Sequence, residues 1–236
     1  MAGNIALLVT MALHPTGEQL ATAGSRFGAL ALLNAFVHTL ALFSIPVLFL
    51  GAIALTREIA DEKRIAFCAV VFYAFALCAG MGAAAMSGYV APDVLRRMAR
   101  PADPEMWRVL FAYTGLVNQA FARILVIGSA VAIILWSSAL KSAWLRWYGI
   151  GSSALIILAV ITAVLPLNVH GYGLVVLLQA AWFFTVGAKL WMGQPLRLRG
   201  SRGLPGNPAR DPRVEHVERQ APPAEDSVVK RADIEP

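Results

Sequence analysis

The stretch GLVNQAFARILVIGSAVAIILW, from Gly115 to Trp136, carries Asn118, Gln119 and Arg123 at the head of a run that is otherwise apolar. A guanidinium among hydrocarbon side chains is the nearest thing to a chemical signature in this chain. Its planar fork of donors suits a carboxylate or phosphate. A charge facing lipid costs several kcal/mol, so ionisable residues within a membrane usually face a protein interior or a wet cavity. Counting inward from the outer ends of the apolar runs at ~1.5 Å per residue, His38, Cys78, Gln119, Arg123 and Gln179 fall at comparable depth. His38, Gln119, Arg123 and Gln179 are therefore the candidate ligand-binding residues, in a polar pocket that opens outward and takes a small anionic ligand or an ion. Ala112, Gln119, Arg123, Ala130 and Ser137 share one helical face, the profile of a surface turned into a bundle. Protonation of His38 would add positive charge at acidic pH. A plainer reading stays open. Arg123 can snorkel to outer headgroups beside Gln119, Asn34 and His38 can serve each other, and polar pairs between helices can act as glue worth ~0.6 kcal/mol each.

Other chemistries find weaker footing. Ser152 and Ser153, in GIGSSALI, belong near the inner face and His170 near the outer one, which keeps a serine nucleophile from its base. No Asp or Glu occurs within the apolar runs, so a carboxylate metalloenzyme or proton relay lacks its ligands. A bis-histidine haem site, or a quinone site, is the redox alternative; it would draw on His14, His38 and His170, of which His14 and His170 share the outer boundary while His38 sits deeper. No complete catalytic or cofactor motif is present, which leaves the cofactor unknown and favours a non-enzymatic protein. Cys68 and Cys78, ten residues apart on one rod, are too distant to pair and read as buried small hydrophobes.

The elements that position these residues follow from composition. Hydrophobic residues make up 58% of the 236 and charged ones 14%, against about 25% charged in a soluble domain; the implied class is an integral membrane protein with the lipid bilayer as its principal partner and no nucleic acid. Crossing a hydrocarbon core takes roughly 20 apolar residues. Runs that long occupy residues 29–55, 65–88, 113–140, 145–167 and 171–192. They lack the alternation of a membrane barrel, so the predicted fold is an all-α bundle of five transmembrane helices plus a short sixth at the N-terminus.

That sixth element is NIALLVTMAL, about half a span, stopped by HPTGEQ. It reads as a short or tilted helix, as the remnant of a longer one, or as a secretory signal with Ala21-Thr22-Ala23 as a cleavage site; the missing Lys or Arg ahead of it argues against the last. The chain thus divides into an N-terminal short helix with an outer polar segment (1–28), the bundle (29–192) and a tail (193–236). Nine of the 20 Lys and Arg lie from Lys189 onward and seven of the 13 prolines from Pro195 onward. A tail of that composition buries too little to offset chain entropy and is expected to be disordered.

Arg57, Lys63, Arg64, Lys141, Arg146 and Lys189 gather in turns that the positive-inside rule makes cytoplasmic, together with the C-terminus. This orients a multi-pass inner-membrane protein, either self-contained or an accessory subunit beside other membrane subunits. Arg96, Arg97 and Arg100 fall on the outer side, where Val94, Leu95 and Met98 let YVAPDVLRRMARPADPEMW form a short interfacial helix; a docking surface for an anionic partner is the alternative. Trp144, Trp147, Tyr148 and Trp191 mark the inner belt, and Tyr89, Trp107 and Tyr172 the outer. Ala76, Gly80, Ala84 and Gly88 recur every fourth residue as a stripe for close helix approach, and Pro46 is a kink point.

With Cys68 and Cys78 replaced, a single cysteine placed in TREIADEKR should be shielded from an impermeant thiol reagent in intact cells, and one placed near Asp103 should react. Labelling in the opposite sense would invert the topology.

Overall fold

The computed structural model describes residues 1–59, 63–98 and 104–193. Within them the chain is an all-α membrane bundle, with helices α1 (Ala2–Leu13), α2 (Gly17–Ala21), α3 (Phe27–Glu58), α4 (Lys63–Ala85), α5 (Ala91–Met98), α6 (Pro104–Ser138), α7 (Ala143–Ile161) and α8 (Val169–Trp191). Five stretches are long and apolar enough to cross a membrane: Gly24–Glu58, Arg64–Met98, Glu105–Ser138, Ala143–Ile161 and Val169–Trp191. The expected tail lies outside the described residues from position 194 onward.

Three boundaries differ from the sequence expectation. The second span does not stop at Gly88; a π-helical turn, Met86–Val90, joins α4 directly to α5. The third starts at Pro104 rather than near Tyr113, because polar residues on its outer turn do not interrupt backbone pairing. The fourth was expected to reach Leu167 but ends at Ile161: Ala163 takes a left-handed φ of 56° and Pro166, which has no N–H, follows.

α5 is the expected short amphipathic helix. Val94 and Leu95 are buried, while Arg96 and Arg97 pair with Asp93 at 3.7 and 3.0 Å on an exposed face, and the Arg97 guanidinium stands 5.2 Å from the Trp107 ring. α1 is ~18 Å long at ~1.5 Å per residue, short of a hydrocarbon core about 30 Å thick. It packs on α3 and α8 instead: a Cβ on Gly3 would fall 2.9 Å from Leu48, and one on Gly187 the same distance from Met1.

Small residues let the helices close on one another. Ala76 of the stripe is fully buried against Gly128 of α6, Gly80 meets Leu125, and Gly88 lies against His38 of α3, so the stripe is used within the chain. Pro46 sits inside α3 without dividing it. Trp144, Trp147 and Trp191 are exposed on the perimeter, whereas Tyr172 turns inward. Cys68 and Cys78, expected to be buried, are both exposed, because α4 turns its small-residue face inward and leaves them on the outside.

The core is densest around Trp136 of α6. Its indole donates a 2.9 Å hydrogen bond to Thr56 Oγ1 of α3, meets Tyr73 of α4 edge-on at 5.4 Å and stacks near Trp182 of α8 at 6.4 Å. α7 closes this cluster through Gly149, where a Cβ would lie 2.0 Å from Ser137 Oγ and 2.5 Å from Trp182 Nε1. Gly149→Ala should therefore lower stability by ~1–3 kcal/mol, the usual cost of overpacking. Gly151, whose Cβ would meet nothing within 4 Å, supplies the control: Gly151→Ala should be neutral or stabilising by up to ~1 kcal/mol. Thermal unfolding of both variants in one detergent checks this, and equal midpoints would contradict the packing described.

Candidate functional site

At the opposite end of the bundle the helices part around a cavity of about 690 Å³. α1 contributes Thr10 and Met11, with His14 just beyond its end; α3 contributes Asn34 and His38, α4 Gly80 and Ala84, α6 Asn118 and Gln119, and the start of α8 His170 and Tyr172. The volume lies within the 300–1,000 Å³ typical of small-molecule sites.

Local backbone chemistry builds its walls. A π-helical turn misaligns carbonyls that an α-helix would satisfy. Buried Asn34 supplies the missing donor, its Nδ2 giving hydrogen bonds to Ser87 O at 2.8 Å and Gly88 O at 3.4 Å. Gly88 is required there, since a Cβ would lie 2.5 Å from His38 Cβ. On the far wall Gln119 Nε2 donates to Leu167 O at 3.1 Å, tying α6 to the loop before α8. Asn168 caps α8 by accepting from Gly171 N at 2.9 Å, and this presents His170 and Tyr172 to the cavity. Asn118 Oδ1 is buried without a hydrogen-bond partner among the described residues.

The histidines give the site its chemical character. His14 Nδ1 lies 2.7 Å from Pro15 O and His38 Nδ1 lies 2.7 Å from Asn34 O. A carbonyl oxygen only accepts, so both Nδ1 atoms are donors and carry the proton of the neutral ring. Each Nε2 is then left with a lone pair, yet the two Nε2 atoms stand 3.2 Å apart. The rings meet edge-on, with centroids 4.8 Å apart and planes at 69°, and two unprotonated nitrogens at that distance repel unless a positive particle lies between them. Burial holds His14 below the ordinary imidazole value, which favours an unprotonated ring and keeps that lone pair available.

Of the candidate residues read from the sequence, His38 and Gln119 line this cavity. Arg123 does not: it is exposed on α6, and no hydrogen bond or ion pair involves it among the described residues. Gln179 is also elsewhere, donating to Ser129 Oγ at 2.9 Å beside a second void of about 40 Å³. The four are thus not brought into one pocket. Arg123 turns outward although Gln119, one turn earlier on α6, lines the cavity, and Gln179 faces Ser129 instead. Depth shifts too. The continuation of α4 through the π-helical turn sets His38 level with Gly88, so Cys78 lies deeper than a count from Gly88 implies. The histidine pairing differs as well: His14 meets His38 rather than His170, and direct contact at 3.2 Å leaves no room for a porphyrin plane between them. Ser153, expected far from any histidine, is buried in α7, and Ser152 bonds its own helix at Tyr148 O.

Asn34 was read from sequence only as a helper to His38, and nothing in the chain announces the π-helical turn that it serves. His14 was visible as a histidine ending an apolar half-span, but its partner is decided by how α1 lies against α3. No family model, curated protein or solved structure matches this chain.

Proposed function

We propose that the chain is a multi-pass module of the inner (plasma) membrane, with a cytoplasmic C-terminus, that binds a small ligand or an ion in the cavity between α1, α3, α4, α6 and α8. The observation that carries this reading is the convergence of His14, His38, Asn118, Gln119 and His170 on one cavity of about 690 Å³ within an otherwise apolar bundle. The positive-inside rule orients that cavity outward, since Arg57, Arg64, Lys141, Arg146 and Lys189 belong to the opposite helix ends. An anionic ligand there would not meet Arg123, which lies outside the cavity lining.

Gly115 lines the cavity, and a Cβ there meets nothing within 4 Å. Gly115→Leu should fill ligand space without a clash. Native mass spectrometry of the detergent-purified chain should show a bound small molecule in wild type and at least about tenfold weaker retention in Gly115→Leu, a loss of ~1.4 kcal/mol or more, at an unchanged unfolding midpoint. Equal retention by the two chains would remove the cavity reading.

A second reading, a subunit of a larger membrane complex, is favoured by Arg123. An exposed guanidinium on a spanning helix costs several kcal/mol against lipid, and a carboxylate or carbonyl on another membrane subunit would relieve it. Arg123→Leu should then shift the chain to a smaller assembly in native electrophoresis while its thermal unfolding is kept. Unchanged migration would favour a chain that works alone, with Arg123 snorkelling.

A further inference from the structure

We propose that His14 and His38 together form a binding site for copper(I), held between their two Nε2 atoms. The assignment deepens the cavity reading above and rests on it only in placing the site on the cavity wall.

Hydrogen-bond accounting comes first. Both Nδ1 atoms donate to carbonyls at 2.7 Å, an outer-shell arrangement that fixes the tautomer and raises the basicity of a ligating imidazole. Both Nε2 lone pairs are thereby directed outward from their rings, and they meet at 3.2 Å. Two imidazole nitrogens on one tetrahedral ion, bonded at ~2.0–2.1 Å, stand ~3.3 Å apart, so the pair is already spaced for a shared metal. It comes from two elements, the end of α1 and the middle of α3, and neither ring spends its Nε2 on another protein group among the described residues.

The character of the wall selects the ion. Hard cations such as magnesium and calcium take oxygen ligands, which this pair does not offer. Imidazole suits copper and zinc, and thioethers favour copper(I) over the rest. Met11 and Met86 line the same cavity, and Glu18 is its one acidic lining residue among those described. No carboxylate joins the two rings in a cluster among the described residues, so a divalent ion held by them would carry two charges with no anionic ligand bonded to it, and a monovalent one carries a single charge. Burying unpaired charge is costly, so the lower charge wins.

The test uses the full chain carrying Cys68→Ser and Cys78→Ser, because exposed thiols also take copper(I). Copper(I) is delivered anaerobically from a chromogenic competing chelator. One ion per chain should be withdrawn, and the copper-edge absorption spectrum should show imidazole nitrogen ligands. His14→Gln and His38→Gln should each weaken retention by more than ~100-fold, beyond the 10–100-fold that outer-shell changes cost. His14 lies outside the spanning helices, so His14→Gln decides the matter if His38→Gln does not fold, and the edge spectrum of the histidine-intact chain needs neither variant. No copper withdrawn, copper retained equally by both histidine variants, zinc taken in preference to copper(I), or a nitrogen-15 spectrum showing only a shared proton between the rings would each overturn the proposal. Gly115→Leu separates the two readings: copper held by a chain that takes no small molecule sinks the cavity reading alone, and small-molecule retention without copper sinks this one alone.

Discussion

Hydrocarbon offers a buried N–H, O–H or C=O no partner, so a protein in a membrane must answer its polar groups from within. Much of the bundle follows from that constraint, with Asn118 Oδ1, Ser137 Oγ, Ser153 Oγ and Trp182 Nε1 left buried without a partner among the described residues. Helices satisfy their own backbones, and where one departs from α geometry, at the π-helical turn, the donor is imported from the neighbouring helix as Asn34. The Trp136 indole is answered by Thr56 across two helices. Gln179 and Ser129 answer each other, and Gln119 answers a loop carbonyl where α7 has already ended. These bonds are individually modest, since polar pairs between membrane helices average ~0.6 kcal/mol. They fix register more than they add stability.

Close approach is the second requirement, because lipid supplies no hydrophobic drive for helices to associate. Ala76, Gly80 and Gly88 bring α4 against α6 and α3, and Gly149 brings α7 against Ser137 and Trp182. One end of the molecule is thereby packed as a solid aromatic core around Trp136. The other end cannot close equally, since α1 is a half-span and α7 stops at Ile161. The cavity lies beside the short α1, and the end of α1 delivers His14 into it.

The His14–His38 contact concentrates the chemistry of the site. Each ring is anchored at Nδ1 by a carbonyl, and the free nitrogens are pressed together at 3.2 Å. A structure that needed the histidines only as polar glue would turn at least one Nε2 toward a donor. Here the two Nε2 atoms meet each other instead.

Sequence alone determined the class of molecule and the number of long apolar spans, because hydrocarbon thickness and backbone satisfaction admit few solutions and composition reports them directly. It also identified the small-residue stripe and the short helix of Val94 and Leu95, whose local periodicity carries the signal. Half of the candidate site was legible too, His38 and Gln119, as polar residues embedded in apolar runs. Register was not legible. Depth counted from apparent boundaries fails when a helix continues through a π-helical turn and when another begins well before its apolar run, and an offset of that size moved Cys78 away from His38. Which way Arg123 faces and which histidine meets which depend on the rotation and translation of whole helices, and these are set by contacts between residues distant in the chain, such as Gly88 against His38 and Gly3 against Leu48. Only the tertiary structure decides those, because helical periodicity fixes angles within one rod and carries no information about the neighbour against which it packs.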